Sequence, residues 1–184
     1  MNIWGRILKL FCWSVDITAP RRDKCVICVA PHTSNWDFIL GQFAYRSIGR
    51  KANFLIKESW FFFPFNLIFK ALGGIPVSRN KKDGKSSLTE SIIEKFNTSE
   101  YLNLAITPEG TRSARADWKT GFLVIACGAH VPIQLGVIDY SGKKVIIQEE
   151  FQPTDDIGSD LNAIKQYYSR FKDAARYPDK FRIS

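Results

Sequence analysis

No stretch of this 184-residue sequence reaches the ~20 consecutive apolar residues that a bilayer-spanning helix needs. The N-terminal apolar run is interrupted by Arg6 and Lys9, and it ends at Asp16 without a small-residue cleavage site. We therefore expect neither a crossing anchor nor a cleaved signal. With 45% hydrophobic and 24% charged residues, the composition excludes disorder and predicts a single domain over residues 1–184.

Cysteine is scarce, with Cys12, Cys25, Cys28 and Cys127 as the whole set. The Cys25 and Cys28 pair lies within an apolar run that is typical of a buried strand. No second cysteine pair or histidine cluster completes a zinc site. We therefore expect structural cysteines, no metal site and a reducing compartment.

Acidic residues are too few to balance the basic ones. Eighteen Asp plus Glu stand against 26 Lys plus Arg, which gives a net charge of +8. Such a chain is attracted to polyanions, whether lipid headgroups, acidic carrier molecules or nucleic acid, and charge alone does not choose among them. The 14 Phe and five Trp are concentrated early in the chain, which predicts an apolar surface or pocket.

The N-terminal segment, residues 1–20, combines apolar residues at helical spacing with basic residues between them. The apolar set is Ile3, Trp4, Ile7, Leu8 and Phe11. This pattern is typical of an amphipathic helix that lies in a membrane interface, with Trp4, Ile7 and Phe11 as contacts. A helix packed on the domain core fits the same pattern equally well.

Hydrophobic periodicity predicts strands that alternate with helices. The predicted strands are 25–30, 52–56, 102–107, 132–140 and 144–148, and the predicted helices are 35–47, 86–97, 121–128 and a C-terminal helix within 158–176, clearest from about 160 to 175. This alternation indicates an α/β fold with a mostly parallel central sheet flanked by helices. Sites in such sheets form at the carboxyl ends of strands.

The strand that ends at residue 30 is followed by a histidine and an aspartate five residues apart, His32 and Asp37. A continuous helix would place them on different faces, so we expect His32 in a loop and Asp37 in the first turn of the next helix. Ser34 is a natural N-cap, and the positive helix start favours an ionised Asp37. Asp37 can then hold one ring nitrogen of His32 and leave the other as a base. A structural role for the pair remains open.

Two further segments place polar side chains after strands. Residues 73–79 (GGIPVSR) end in Arg79, whose guanidinium suits a phosphate. Residues 108–113 (PEGTRS) form a turn in which Gly110 permits an unusual backbone angle, and Lys119 follows as another cation. Such a turn suits an anionic ligand or a developing oxyanion. Each segment alone also fits an ordinary surface turn.

Taken together, the segments resemble the ordered blocks of the glycerolipid acyltransferase family, which includes the 1-acylglycerol-3-phosphate acyltransferases. The blocks are His-x4-Asp at 32–37, Gly-x-Ile-Pro-Val-x-Arg at 73–79, Pro-Glu-Gly-Thr-Arg-Ser at 108–113 and Val-Pro-Ile at 131–133. The likeness covers roughly residues 25–140, and residues 118–121 (WKTG) resemble the short stand-alone bacterial members. The chain departs from the commonest family pattern at Pro31, Ser78, Thr107 and Gln134.

The resemblance implies an O-acyltransferase of phospholipid biosynthesis that uses no metal or redox cofactor. The enzyme would move a fatty acyl group from acyl-CoA or acyl-carrier protein to a hydroxyl of a glycerol-phosphate or lysophospholipid-type acceptor. His32 would be the base and Asp37 would orient it. The substrate-binding residues would be Arg79, Glu109, Gly110, Thr111, Arg112 and Lys119, with backbone donors around Gly110 and Thr111 facing the oxyanion.

The aromatic run at residues 60–69 is too short to span a bilayer and is broken by Pro64. We interpret it as an element that dips into the membrane or contacts the acyl chain, through Trp60, Phe61, Phe62, Phe63 and Phe65. A helix buried against the sheet is the rival interpretation. With the net charge of +8, the run predicts a cytoplasmic protein bound peripherally to the anionic inner face of the cell membrane.

Other functions fit the residues less well. An acyltransferase that acts on a non-glycerol lipid and a catalytically silent lipid-binding protein are the alternatives, although a silent protein has no chemical need for the His32 and Asp37 pair. A hydrolase is disfavoured because the chain has no Gly-x-Ser-x-Gly elbow. No nucleic-acid partner is expected, since charge is the only feature in its favour.

Overall fold

The computed structural model describes residues 2–77 and 87–183. Its strands are β1 (Ser14–Ile17), β2 (Lys24–Val29), β3 (Asn53–Lys57), β4 (Gly74–Val77), β5 (Leu102–Ile106), β6 (Ile133–Asp139) and β7 (Lys144–Phe151). The helices are α1 (Ile3–Leu10), α2 (Trp36–Ser47), α3 (Phe65–Leu72), α4 (Leu88–Thr98), α5 (Gly121–Gly128) and α6 (Ile157–Ser169). Short 3-10 turns cover Glu58–Trp60, Lys172–Ala174 and Pro178–Lys180.

The strands form one sheet in the order β1-β7-β6-β2-β5-β3-β4. All neighbouring pairs are parallel except β6 and β7, which are antiparallel with a register shift between Leu135 and Gly136. The mostly parallel α/β fold predicted from periodicity is therefore confirmed. The carboxyl ends of β2, β5 and β6 lie side by side at one edge of the sheet, where the loops that follow them meet.

Helices cover both faces of the sheet because successive strand residues point to opposite sides. On β2, Cys25, Ile27 and Val29 point toward α2, and the cluster around Cys25 and Ile27 includes Tyr45 of that helix. Val26 and Cys28 instead join the larger core beneath α4, α5 and α6. A strand buried on both faces reads as a continuous apolar run, which is why β2 could be recognised.

Three elements differ from expectation. Strand β1 was not predicted, because its four residues alternate too briefly to stand out, and it pairs with β7 at the far edge. Helix α3 covers the second half of the aromatic run, where a helix was only the rival interpretation. The C-terminal helix ends at Ser169 rather than near residue 175, and the chain then bends so that the Ala174 carbonyl accepts the Tyr140 N–H at 2.8 Å.

The N-terminal helix α1 packs on α2 and also exposes apolar residues. The Trp4 ring lies 5.1 Å from the Phe43 ring, and Leu8 is buried. The rival interpretation, packing on the core, is thus confirmed for these two residues, and Ile7 is half-buried. Phe11 is exposed, and its membrane contact stays a prediction. Within the described residues no helix has the length and apolarity to cross a bilayer.

Candidate active site

The loop after β2 and the first turn of α2 bring His32 and Asp37 together as expected. The His32 Nδ1 atom lies 3.0 Å from Asp37 Oδ2. Asp37 is only 3% exposed, whereas the His32 side chain retains 18% of its surface and lines a cavity. Because Nδ1 donates to the carboxylate, Nε2 carries the lone pair that can accept a proton.

Asp37 is held as an anion by four donors. Besides the imidazole, its carboxylate accepts the backbone N–H groups of Thr33 and Ser34 at 2.9 Å each and the Tyr140 hydroxyl at 2.6 Å. Burial opposes ionisation of this carboxyl, but the hydrogen bonds from His32, Tyr140 and Ser34 outweigh it, so the pKa of Asp37 lies below its ordinary value. The carboxylate is therefore charged at neutral pH.

The cap of α2 differs from the one predicted. Asn35, not Ser34, is the N-cap residue, and its side chain makes no capping hydrogen bond. The Asp37 carboxylate already takes the Ser34 N–H, and the Ser34 hydroxyl accepts the N–H of Trp36 at 3.2 Å. The start of the helix is thus organised around Asp37, because its carboxylate satisfies the donors that a cap side chain would otherwise take.

Glu109 lies behind the loop of residues 30–35, which joins β2 to α2 and carries His32. Its carboxyl oxygens accept the backbone N–H of His32 at 2.9 and 3.2 Å, and the residue is 4% exposed. Burial raises the pKa of Glu109 to about 8, the His32 N–H lowers it in part, and the nearby Asp37 carboxylate raises it further. Glu109 does not line the cavity, so the structure gives it contact with the His32 backbone, while the predicted contact with substrate stays a prediction.

The turn that contains Gly110 adopts the left-handed backbone conformation expected of a glycine, with φ of +64°. A Cβ atom there would lie 3.1 Å from the Lys119 side chain, so glycine also lets that side chain cross the turn. The Gly110 N–H donates to the Thr107 carbonyl at 3.2 Å. This N–H is therefore used inside the turn, and the expectation that backbone donors around Gly110 and Thr111 face an oxyanion stays a prediction.

The other predicted binding residues are spread around the same edge. Lys119 lines the cavity. The Arg112 guanidinium donates to the side chain of Asn35, the last residue of the loop that carries His32. The Thr111 hydroxyl accepts the N–H of Ser113 at 3.2 Å. Arg79 lies outside the described residues.

A cavity of about 690 Å³ opens at His32 and continues beneath α2. It runs past Gly41 to Tyr45, which lies eight residues beyond Asp37, or about 12 Å along the helix. The floor on this side comes from small and aliphatic residues of the sheet: Ile27, Val29, Ala105, Gly136 and Ile147. The site therefore joins a polar mouth to a long apolar interior.

The predicted aromatic contacts lie on the protein surface. Trp60, Phe62, Phe63 and Phe65 are between 43% and 78% exposed, while Phe61 is half-buried against Phe69. No residue of α3 is buried, so the rival interpretation of a helix buried against the sheet is wrong. We call the exposed set Trp60, Phe62, Phe63, Phe65, Leu67 and Ile68 the aromatic surface.

Tyr140 is the site residue that sequence reasoning missed. It follows β6, 103 residues after Asp37, and its ring packs edge-on against Trp13 at 5.2 Å. Burial and the Asp37 carboxylate raise the pKa of Tyr140, which keeps its hydroxyl a donor. The only signal in the sequence is its position at the carboxyl end of a predicted strand.

The family model described as Acyltransferase matches residues 15–137, which is more than half of the chain. The chain belongs to the acyltransferase family. A search of the curated proteins finds none that matches the sequence of this acyltransferase. Within residues 2–77 and 87–183, no three His, Cys, Asp or Glu side chains cluster closely enough to hold a metal ion.

Among solved structures, the acyltransferase resembles the 1-acyl-sn-glycerophosphate (LPA) acyltransferase PlsC from Thermotoga maritima. The match has a TM-score of 0.58 and 20% sequence identity, and it covers 95% of this chain and 78% of that one. At this identity the likeness shows a shared fold.

The Glu109 carboxyl makes the stability of the acyltransferase depend on pH, and Glu109→Gln should reduce that dependence. The pKa of this carboxyl is about 8 in the folded protein against 4.5 ordinarily, so the folded state binds more protons between those values. The part of the stability that is linked to protonation of Glu109 is fully present below about pH 4.5 and is lost as the pH rises through 8. The melting temperature of the wild type should fall more between pH 6 and 9 than that of the variant, by about 2–4 °C for each kcal/mol of linked stability.

The control is Glu100→Gln, which changes an exposed carboxylate. It should leave the slope of melting temperature against pH as in the wild type. Equal slopes for wild type and Glu109→Gln would show that the Glu109 carboxyl is not protonated in the folded state.

Proposed function

We propose that this acyltransferase moves a fatty acyl group from a thioester of CoA or acyl-carrier protein to a hydroxyl of a glycerol-phosphate or lysophospholipid-type acceptor. The observation that carries the proposal is the His32 and Asp37 pair at the mouth of an apolar cavity. The fold shared with a lysophosphatidate acyltransferase supports this choice of acceptor. The reaction would serve phospholipid biosynthesis.

In the proposed reaction, His32 acts as general base. An acceptor hydroxyl attacks the thioester carbonyl while its proton passes to Nε2, because a free alkoxide is inaccessible at neutral pH. The C–S bond then breaks as the new ester forms, and the proton leaves with the thiolate to give a thiol. Asp37, ionised and in contact with Nδ1, stabilises the imidazolium that exists between these steps.

The cavity suits the acyl chain of the donor. An apolar space beneath α2 removes the chain from water while the thioester stays at the polar mouth beside His32. Lys119 lines the cavity and Arg112 lies against Asn35, so both would supply positive charge for the phosphate of the acceptor. The family resemblance implies the same role for Arg79. Glu109 keeps the loop in place by holding the His32 N–H.

A peripheral position on the cytoplasmic face of the cell membrane would deliver the lipid acceptor. The aromatic surface exposes large apolar side chains that water solvates poorly, and exposed Lys57 and Lys70 lie at its margins. The Arg46 guanidinium donates to the Leu72 carbonyl at 3.0 Å and lies 5.5 Å from the Trp4 ring. Helices α1 and α3 therefore both contact Arg46, and their exposed apolar residues would together face the membrane.

Replacement of His32 tests the proposed base. His32→Ala should lower kcat by about 10²- to 10⁴-fold, because positioned proton transfer contributes on that order. The assay follows labelled palmitate from palmitoyl-CoA and from palmitoyl-acyl-carrier protein to lysophosphatidate. His130→Ala is the matched control, since this second histidine is exposed and lies after α5.

The control should keep wild-type activity. Transfer that persists in His32→Ala would remove the proposed base, and a wild type inactive with a panel of phospholipid and non-glycerol acceptors would favour a silent lipid-binding protein.

The role of the cavity is tested at Gly41 in α2. A Cβ atom there would lie 3.8 Å from Ile138 Cδ1, an ordinary contact, so Gly41→Ala fits and Gly41→Leu extends into the cavity. We expect Gly41→Leu to lower kcat/KM for 16-carbon donors about tenfold relative to 8-carbon donors, because overpacking costs ~1–3 kcal/mol. Kinetics over a series of acyl-CoA chain lengths measure this. A uniform loss at every chain length would argue against the cavity as the acyl site.

Membrane binding is tested on the aromatic surface. Phe62→Ser together with Phe63→Ser should weaken binding to vesicles that contain 30 mol % phosphatidylglycerol by about tenfold or more, since each exposed Phe contributes ~1.5–3 kcal/mol when it is buried in lipid. Vesicle cosedimentation measures the change. Val124→Ser removes an exposed apolar residue from α5, on the opposite face of the sheet, and should have no effect. Equal binding by both variants would exclude this surface from the membrane contact.

A further inference from the structure

The C-terminal segment, residues 170–183, packs on the loop of residues 30–35, which is the catalytic loop of the proposed reaction. The segment lies beyond the residues matched by the family model. The Tyr177 N–H donates to the Thr33 hydroxyl at 3.3 Å, and the Ala174 carbonyl accepts the Tyr140 N–H at 2.8 Å. Phe181 is buried against Trp118, with ring centroids 6.2 Å apart. The segment is therefore fixed on both sides of Arg176, which lies between these contacts.

Arg176 itself is exposed and lies at the edge of the site. Its Nη1 atom donates to the Ser34 hydroxyl at 3.5 Å. The guanidinium lies 6.0 Å from the ring of Trp36, 5.9 Å from that of Tyr140 and 5.6 Å from that of Tyr177. Aromatic faces hold a guanidinium in place without neutralising its charge.

A second guanidinium approaches the neighbouring residue of the same loop. Arg112 donates to the Asn35 side chain, so the two arginines flank the consecutive residues Ser34 and Asn35. None of the ion pairs formed within residues 2–77 and 87–183 includes Arg112 or Arg176. Asn35 also precedes the 12-residue helix α2, whose start carries partial positive charge. Two guanidinium groups that form no ion pair within the described residues therefore lie beside the start of this helix.

We propose that Arg176 and Arg112 form a phosphate-binding site on the outer side of the catalytic loop, with Arg176 as a substrate-binding residue. This proposal rests on the proposed function, because the phosphate would belong either to the acceptor headgroup or to CoA. A guanidinium carries five N–H donors, and within the described part of the chain Ser34 is the single hydrogen-bond acceptor of Arg176. The paired N–H groups of two guanidiniums can each donate to the oxygens of one phosphate.

The test compares Arg176→Ala, Arg176→Gln and Arg176→Lys with Arg182→Ala, a control that removes another exposed arginine of the same segment. Isothermal titration with glycerol 3-phosphate and with CoA measures binding without turnover, and glycerol and pantetheine are the partners that lack phosphate. Steady-state kinetics with lysophosphatidate against monoacylglycerol, and with palmitoyl-CoA against palmitoyl-pantetheine, measures KM. Thermal unfolding followed by circular dichroism confirms that each variant folds.

We expect Arg176→Ala and Arg176→Gln to weaken binding of the phosphate-bearing member of one pair by about tenfold or more, because hydrogen bonds to charged groups are stronger than those between neutral groups. Arg176→Lys should lose less, and Arg182→Ala nothing. The pair that responds identifies the source of the phosphate. Equal effects on both members of each pair, or no effect on either pair, would overturn the site.

The two proposals fail in different ways. If the wild type transfers no acyl group but Arg176→Ala still weakens binding of glycerol 3-phosphate or CoA, the proposed function falls and the phosphate site stands. If the wild type is active and every variant matches it in binding and KM, the site falls and the function stands. A wild type that neither transfers nor binds a phosphate ligand overturns both.

Discussion

The site depends on one buried carboxylate. Asp37 is almost fully removed from water, and an ionised group in that position is stable only if donors replace its hydration. The donors come from the imidazole of His32, two backbone N–H groups of the same loop, and the hydroxyl of Tyr140 at the end of β6. The loop of residues 30–35, the start of α2 and the end of β6 thereby meet at the Asp37 carboxylate, so the orientation of His32 follows from the assembled sheet.

Two carboxyls near His32 have opposite electrostatic environments. Asp37 has a lowered pKa because hydrogen bonds outweigh its burial, whereas burial raises the pKa of Glu109 and its hydrogen bond with the His32 N–H does not compensate. Environments that push two pKa values apart assign different tasks to chemically similar groups. Asp37 can stabilise an imidazolium, while Glu109 holds the backbone without placing a second full negative charge beside it.

The surroundings of the pair follow the polarity expected for a substrate with an apolar tail and a charged head. Beneath α2 the floor of the cavity comes from small and aliphatic side chains of the sheet, and Lys119 also lines the cavity. Arg112 and Arg176 add positive charge beside Asn35 and Ser34. The aromatic surface extends the apolar character to the exterior near α3. In the proposed function, the apolar cavity would take the acyl chain and these cationic residues would face the phosphate of the acceptor.

Local physics explains what could be predicted from the chain. Helix α5 was expected at residues 121–128 and occupies Gly121–Gly128, and a five-residue spacing was enough to put His32 in a loop and Asp37 in a first helical turn. Hydrophobic periodicity acts over a few residues, so it can be recognised in the sequence. It also sufficed for the fold class, since alternating strands and helices allow few arrangements.

Long-range contacts decided the rest. Tyr140 reaches Asp37 across 103 residues, Glu109 turns inward to the His32 backbone, and Arg176 approaches Ser34 from a segment expected to continue a helix. No local pattern encodes these contacts, because they depend on which strands are neighbours and which loops share an edge. Local sequence patterns indicated most of the helices and strands and the chemical groups available. The tertiary structure alone decided which of those groups meet, since burial and charge balance are properties of the assembled sheet.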